Sequence, residues 1–113
     1  MIQSIFNGYS LDIAQEKRES GSKVVQWDQT GGSNQQWIPE QAGNGVYKFR
    51  SVHEPSLFLG IRKQDVNNGG ELEVTSEDNP TIYWRLEGAQ PWGLIIWAIK
   101  YKNFINKPPL CWA

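Results

Sequence analysis

The chemistry this chain could perform is concentrated in Asp12 and in Gln35-x-Trp37, the second lying inside the stretch Lys23 to Glu40. Val24 to Trp27 is β-branched and aromatic, Thr30 to Asn34 is turn chemistry, and Gln35 to Ile38 resumes alternation, which predicts strand, turn, strand. Residues two apart on a strand share a face, so a core Trp37 carries the Gln35 amide in beside it. That amide brings two donors and an acceptor that must find partners, and nearby turn backbone would supply them and pin the loop. Asp12 stands between Leu11 and Ile13, and alternation turns it away from the face those two bury, where it is available to bind.

Other chemistries find little to build on. Cys111 is the only cysteine and His53 the only histidine, so no intrachain disulfide and no cysteine-based metal cluster is expected, and no activating motif surrounds either residue. Twelve acidic residues offer many carboxylate pairs for glycoside hydrolysis, but no motif selects one. The adjacent Glu77-Asp78 runs straight into Asn79-Pro80 and reads as a turn. With no phosphate loop, nucleophile elbow or ligand cluster, the expectation is a protein without catalytic residues, metal or cofactor.

The elements that must position these residues are strands. At 113 residues the chain is expected to form one domain with one core, and Gly, Pro, Asn and Asp recur at short intervals without a helical apolar period. Candidate strands are 2–6, 9–14, 23–28, 35–41, 46–52, 57–62, 71–76, 82–87, 94–100 and 103–106. Trp37-Ile38-Pro39-Glu40 aligns with Trp84-Arg85-Leu86-Glu87, 47 positions on (84 against 37), and Gly45 to Phe49 aligns with Gly93 to Trp97. A repeat of about 47 residues that supplies four short strands cannot bury a face alone and must stack on its neighbours.

Asn34-Gln35-x-Trp37, preceded by Trp27-Asp28 and by Leu11-Asp12-Ile13, resembles the ricin B-chain-like (QxW) β-trefoil lectins, most closely over residues 9–61. The resemblance implies an all-β, β-trefoil-like fold of about two and a third four-stranded repeats: residues 9–52, residues 57–100 and a partial third at 103–113. It also implies a sugar site. In such lectins an Asp at the position of Asp12 accepts from sugar hydroxyls, an aromatic at that of Trp27 stacks on the ring, and an Asn and a Gln matching Asn34 and Gln35 complete the set, with Asp28 and Thr30 flanking. The chemistry suits a sugar, which offers an apolar face to an aromatic and vicinal hydroxyls to carboxylate and amide groups. Each residue has a plainer reading as well. Asp12 could be an ordinary exposed carboxylate, Trp27 could join Val25 in a core, Gln35 and Trp37 could be scaffold, and Asn34 could be a turn residue.

The second repeat has lost these groups: Gly60, Val74, Thr81 and Ile82 align with Asp12, Trp27, Asn34 and Gln35. One sugar site is therefore expected, with galactose or N-acetylgalactosamine as the preference the resemblance implies. The alternative is a sugar-silent trefoil serving as a protein-interaction or protease-inhibitor module, and a glycosidase accessory module is a third reading. A net charge of −1 and a pI near 5.8 give no footprint for nucleic acid, and Lys17, Arg18 and Lys23, interspersed with Glu16 and Glu19, read as a solvated charged loop. No apolar run is long enough for membrane insertion and no signal peptide is recognisable, which suits a cytoplasmic protein or one secreted by another route. The repeat count leaves a barrel opening. Pro108-Pro109 disfavours a ladder strand, so the apolar Leu110-Cys111-Trp112 is expected to cover the opening with Trp112, in its own chain or in a homodimer.

Overall fold

The computed structural model describes residues 2–4, 8–65, 67–90, 93–98 and 110–112. They form ten strands: β1 (Ile2–Ser4), β2 (Ser10–Ile13), β3 (Lys23–Trp27), β4 (Trp37–Gly43), β5 (Val46–Ser51), β6 (Phe58–Ile61), β7 (Leu72–Thr75), β8 (Trp84–Gln90), β9 (Gly93–Ala98) and β10 (Leu110–Trp112). Short 3-10 turns at Ala14–Glu16, Ser33–Gln35, Arg62–Gln64 and Pro80–Ile82 are the only helical elements among the described residues. The fold is all-β and β-trefoil-like. The candidate strand at 103–106 lies outside the described residues.

Alternation builds the core. On β5, Phe49 and Ser51 point inward while Arg50 between them turns out to pair with Glu40. Fully burying Phe49, Leu59 or Ile61 each contributes about 1.5–3 kcal/mol, and these pack with Ile2, Leu11 and Val74 in one cluster. Trp37 and Trp84 lie at its centre, 4% and 0% exposed, and both indoles solve the same problem in the same way: Trp37 Nε1 donates to Leu11 O at 3.3 Å and Trp84 Nε1 to Leu59 O at 3.1 Å.

The internal repeat is visible in the elements themselves. β6 begins 48 residues after β2 (58 against 10), and β8 begins 47 after β4 (84 against 37). The β4–β5 and β8–β9 hairpins each carry one register shift, at Gln41/Gly43 and at Glu87/Ala89.

Neighbouring strands run β5-β6-β7-β3-β2-β1-β10-β9-β8, and β8 returns to β5, so the ladder closes on itself while β4 flanks β5. The closure uses both ends of the described chain. β10 pairs antiparallel with β1 (Ile2 opposite Trp112) and with β9 (Leu110 opposite Ile96). β1 meets β2 at Gln3–Ser10 much as β5 meets β6 at Arg50–Phe58. Pro108 and Pro109 lie outside the described residues, and the expectation that they disfavour a ladder strand does not extend past them, since Leu110–Trp112 forms β10. The side chain of Trp112 lies outside the description.

Candidate functional site

The site is built on the outer side of β2 and β3, where Asp12 stands opposite Val25 and Ser10 opposite Trp27. Over this pair of strands fold the 14–16 turn on one side and the Thr30–Asn34 segment on the other. Together they enclose a concavity of about 640 Å³ lined by Asp12, Ala14, Gln15, Glu16, Val25, Trp27, Thr30 and Asn34. Its wall carries two carboxylates, two amides, an indole and no cation, which suits a neutral ligand rich in hydroxyl donors.

Gln35 holds the floor. It is fully buried, and its Nε2 donates to Asp12 Oδ2 at 2.9 Å and to the Asp28 carbonyl at 2.8 Å, while its Oε1 accepts from Thr30 N at 2.9 Å and Gly31 N at 3.3 Å. Both hydrogens and both lone pairs of the amide are thus engaged, so Gln35 retains nothing for a ligand and instead fixes the loop and the Asp12 carboxylate. Asp28 enters through its backbone oxygen and does not line the concavity. Trp37 Nε1, donating to Leu11 O, anchors β2 beside Asp12.

Asp12 departs from expectation in one respect. Strand alternation predicted an exposed carboxylate, whereas all four residues of β2 are buried and Asp12 is 6% exposed. Alternation separates the two faces of a strand but does not know that loops cover the outer one. Only one Asp12 oxygen is taken up by Gln35, so the carboxylate keeps acceptor capacity at the wall of the concavity. Asn34, 6% exposed, donates from Nδ2 to Ile13 O at 3.2 Å and reaches the same space, and Thr30 stands at its rim. Trp27 is not core: it is 58% exposed, an indole presented to solvent beside the carboxylate.

The sequence model for the ricin-type β-trefoil lectin domain-like family matches residues 1–75. The chain belongs to this family. Among solved structures it resembles the designed threefold-symmetric protein ThreeFoil (24% identity, TM-score 0.82, covering 89% of this chain and 72% of that one). It also resembles the Macrolepiota procera ricin B-like lectin in complex with lactose (21% identity, TM-score 0.67, covering 87% and 66%). A third is the C-half of an earthworm R-type lectin in complex with GalNAc (27% identity, TM-score 0.63, covering 97% and 83%). No curated protein matches the chain.

Within this ricin-type frame, sequence reasoning missed the wall formed by Ala14–Glu16. Gln15 and Glu16 have φ of 59° and 55°, the left-handed region that non-glycine residues seldom enter, and Lys63 and Gln64 repeat the device at 55° and 52°. Polar residues after a strand gave no sign of such a turn. His53 was missed as well. It is 8% exposed and bridges the two walls: Nε2 lies 2.7 Å from the Glu16 carbonyl and Nδ1 2.8 Å from Ser33 Oγ. Because a carbonyl only accepts, Nε2 carries the proton, and in the neutral ring Nδ1 accepts from the Ser33 hydroxyl. Arg18 caps the arrangement by donating to the His53 carbonyl.

The register also corrects one alignment. Ser10 faces Trp27 and Phe58 faces Thr75, so Thr75, not Val74, holds the position of Trp27 in the second repeat. Among the described residues no group of three His, Cys, Asp or Glu could hold a metal ion, and no helix is long and apolar enough to cross a membrane.

Proposed function

We propose that this protein is a non-catalytic carbohydrate-binding lectin, one domain over residues 1–113, with a single sugar site in its first repeat that takes a galactose- or N-acetylgalactosamine-type residue. The observation that carries the reading is the pairing, in one concavity, of a fixed carboxylate with an exposed indole: Asp12 held by Gln35, and Trp27 open to solvent. In this reading Asp12 accepts from vicinal hydroxyls, Asn34 and Thr30 add polar contacts, Trp27 stacks on the apolar ring face, and Gln35 acts by positioning Asp12. Family membership and neighbours solved with lactose and GalNAc support it. One small polar ligand at one site exchanges water hydrogen bonds for protein ones, so monosaccharide affinity is expected to be weak.

The test is calorimetry against galactose, N-acetylgalactosamine and lactose, beside a glycan array. Trp27→Ala, at an exposed position, is expected to weaken binding by roughly tenfold without lowering the melting temperature, a loss of about 1.4 kcal/mol. Asp12→Asn keeps an acceptor for Gln35 but removes the charge, and is expected to weaken binding at least as much. Silence across simple and complex glycans would sink the reading and leave the protein-interaction or protease-inhibitor module in its place.

A further inference from the structure

The 14–16 turn has a second side. Ala14 and Gln15, which wall the sugar concavity, also wall a neighbouring one of about 490 Å³ at the junction of the two repeats, lined further by Lys17, Glu19, Lys23 and Arg62. The two spaces differ in sign: the first contains Asp12 and Glu16 and no cation, the second three cations against one carboxylate. Lys23 is tied to Glu71 at 3.4 Å, but neither Lys17 nor Arg62 has an ion pair among the described residues. Among the described residues the Arg62 guanidinium makes one long bond, 3.5 Å, from Nη1 to the Gly21 carbonyl. Glu73 feels the charge of Arg62 but forms no ion pair with it, and burial holds its carboxyl above the ordinary range. Arg18, by contrast, is already engaged on the His53 carbonyl. The charged loop is exposed as the sequence suggests, and with Arg62 it also lines a recess in which cations outnumber carboxylates and which shares Gln15 with the proposed sugar site.

We propose that the ligand is an oligosaccharide of at least two units, neutral where it meets Asp12 and Trp27, whose next unit passes over Gln15 and sets a carboxylate or sulfate beside Lys17 and Arg62. The inference rests on the first-repeat sugar site proposed above and names the class of glycan that would fill it. A monosaccharide leaves the second recess to water. An acidic second unit gains charge-assisted contacts with two cations that have no ion pair among the described residues, and because these are exposed the gain is modest and screened by salt.

The experiment compares three disaccharides by calorimetry at low and high salt: a neutral galactose-terminated one, and the same molecule carrying either a carboxylate or a sulfate on its second unit. At low salt at least one acidic form is expected to bind about five- to tenfold more tightly than the neutral one, and which of them gains identifies the acid. The advantage should shrink at high salt and vanish in Lys17→Gln/Arg62→Gln, whose affinity for the neutral disaccharide stays that of the parent. Equal affinities for neutral and acidic forms, or an advantage that survives the double substitution, would overturn this inference and leave the sugar site standing. Failure of every disaccharide to bind would overturn both.

Discussion

Asp12 in the first repeat and Gly60 in the second stand at matching positions of their strands, opposite Val25 and Glu73, and the residues over them have gone opposite ways. In the first repeat the space above the strand holds Gln35, whose amide ties Asp12 to three backbone groups of the Asp28–Gly31 loop. In the second it holds Ile82, and a Cβ on Gly60 would come within 3.2 Å of Ile82 Cγ2, 3.3 Å of Thr75 Cγ2 and 3.3 Å of Thr81 Oγ1. The neighbouring position follows suit. Asn34 reaches the concavity, whereas Thr81 turns its hydroxyl inward, accepting from Ile61 N and donating to Asn79 Oδ1. Beneath both, the indole-to-carbonyl bond of Trp37 and Trp84 is the same. The lesson is that scaffold and site are separable in this fold: one packing solution supports either a buried polar relay or an apolar plug.

The strongest test is of the shared scaffold. Trp37→Ala and Trp84→Ala are each expected to cost about 3–5 kcal/mol, read as similar falls in melting temperature. A large cost in one repeat and a trivial one in the other would show that the skeletons are not equivalent.

Next comes the relay. Gln35→Ile alone strands a buried carboxylate and should destabilise by about 1–3 kcal/mol. Combined with Asp12→Gly it recreates the second repeat's pair and should recover part of that loss while abolishing sugar binding. A double-mutant cycle with coupling below about 0.5 kcal/mol would mean that the two side chains do not act together. The converse substitution, Gly60→Ala, should cost about 1–3 kcal/mol through overpacking and fall in cost when Ile82→Val makes room; an unaffected melting temperature would show that the plug is loose.

The smallest effect is expected at a surface pair outside either site. The Arg50 guanidinium hydrogen-bonds Glu40 at 2.6 Å and holds its carboxyl below the usual range. A carboxylate favoured in the folded state contributes fully above its unfolded pKa, and loses that contribution as pH falls through the lower folded value. Glu40→Gln should therefore cost at most about 1 kcal/mol at neutral pH, since the pair is a third exposed, and nothing once the medium is acidic enough to protonate the parent. A difference between variant and parent that persists in acid would sink that account.

Much of this arrangement was legible in the residues. Period-two alternation and turn composition located the strands through β9, and the Gln35 amide was expected to brace its turn because a buried amide must find partners. What escaped has physical causes. The burial of Asp12 depends on loops that fold over the strand, and strand period carries no information about loops. The wall at Gln15 and Glu16 depends on left-handed backbone in residue types that rarely adopt it. The one-residue slip at Thr75 arose because the alignment dropped from a spacing of 48 at Asp12 and Gly60 to 47 already at Trp27, whereas the register keeps 48 through that strand (60 against 12, 75 against 27).

The pairing of β10 with β1 sets Ile2 opposite Trp112, two residues almost the whole chain apart. Joining such distant segments has a loop-closure cost that rises with the logarithm of the separation, and non-local ladders repay that cost only after the rest has ordered. The seam is therefore expected to form last and open first. Amide exchange in β1 and β10 should run ahead of that in β6 and β7, with the proposed sugar site, carried on β2 one strand away, feeling each opening. The concavity on β2 and β3 would keep its shape only while these two distant segments stay zipped together.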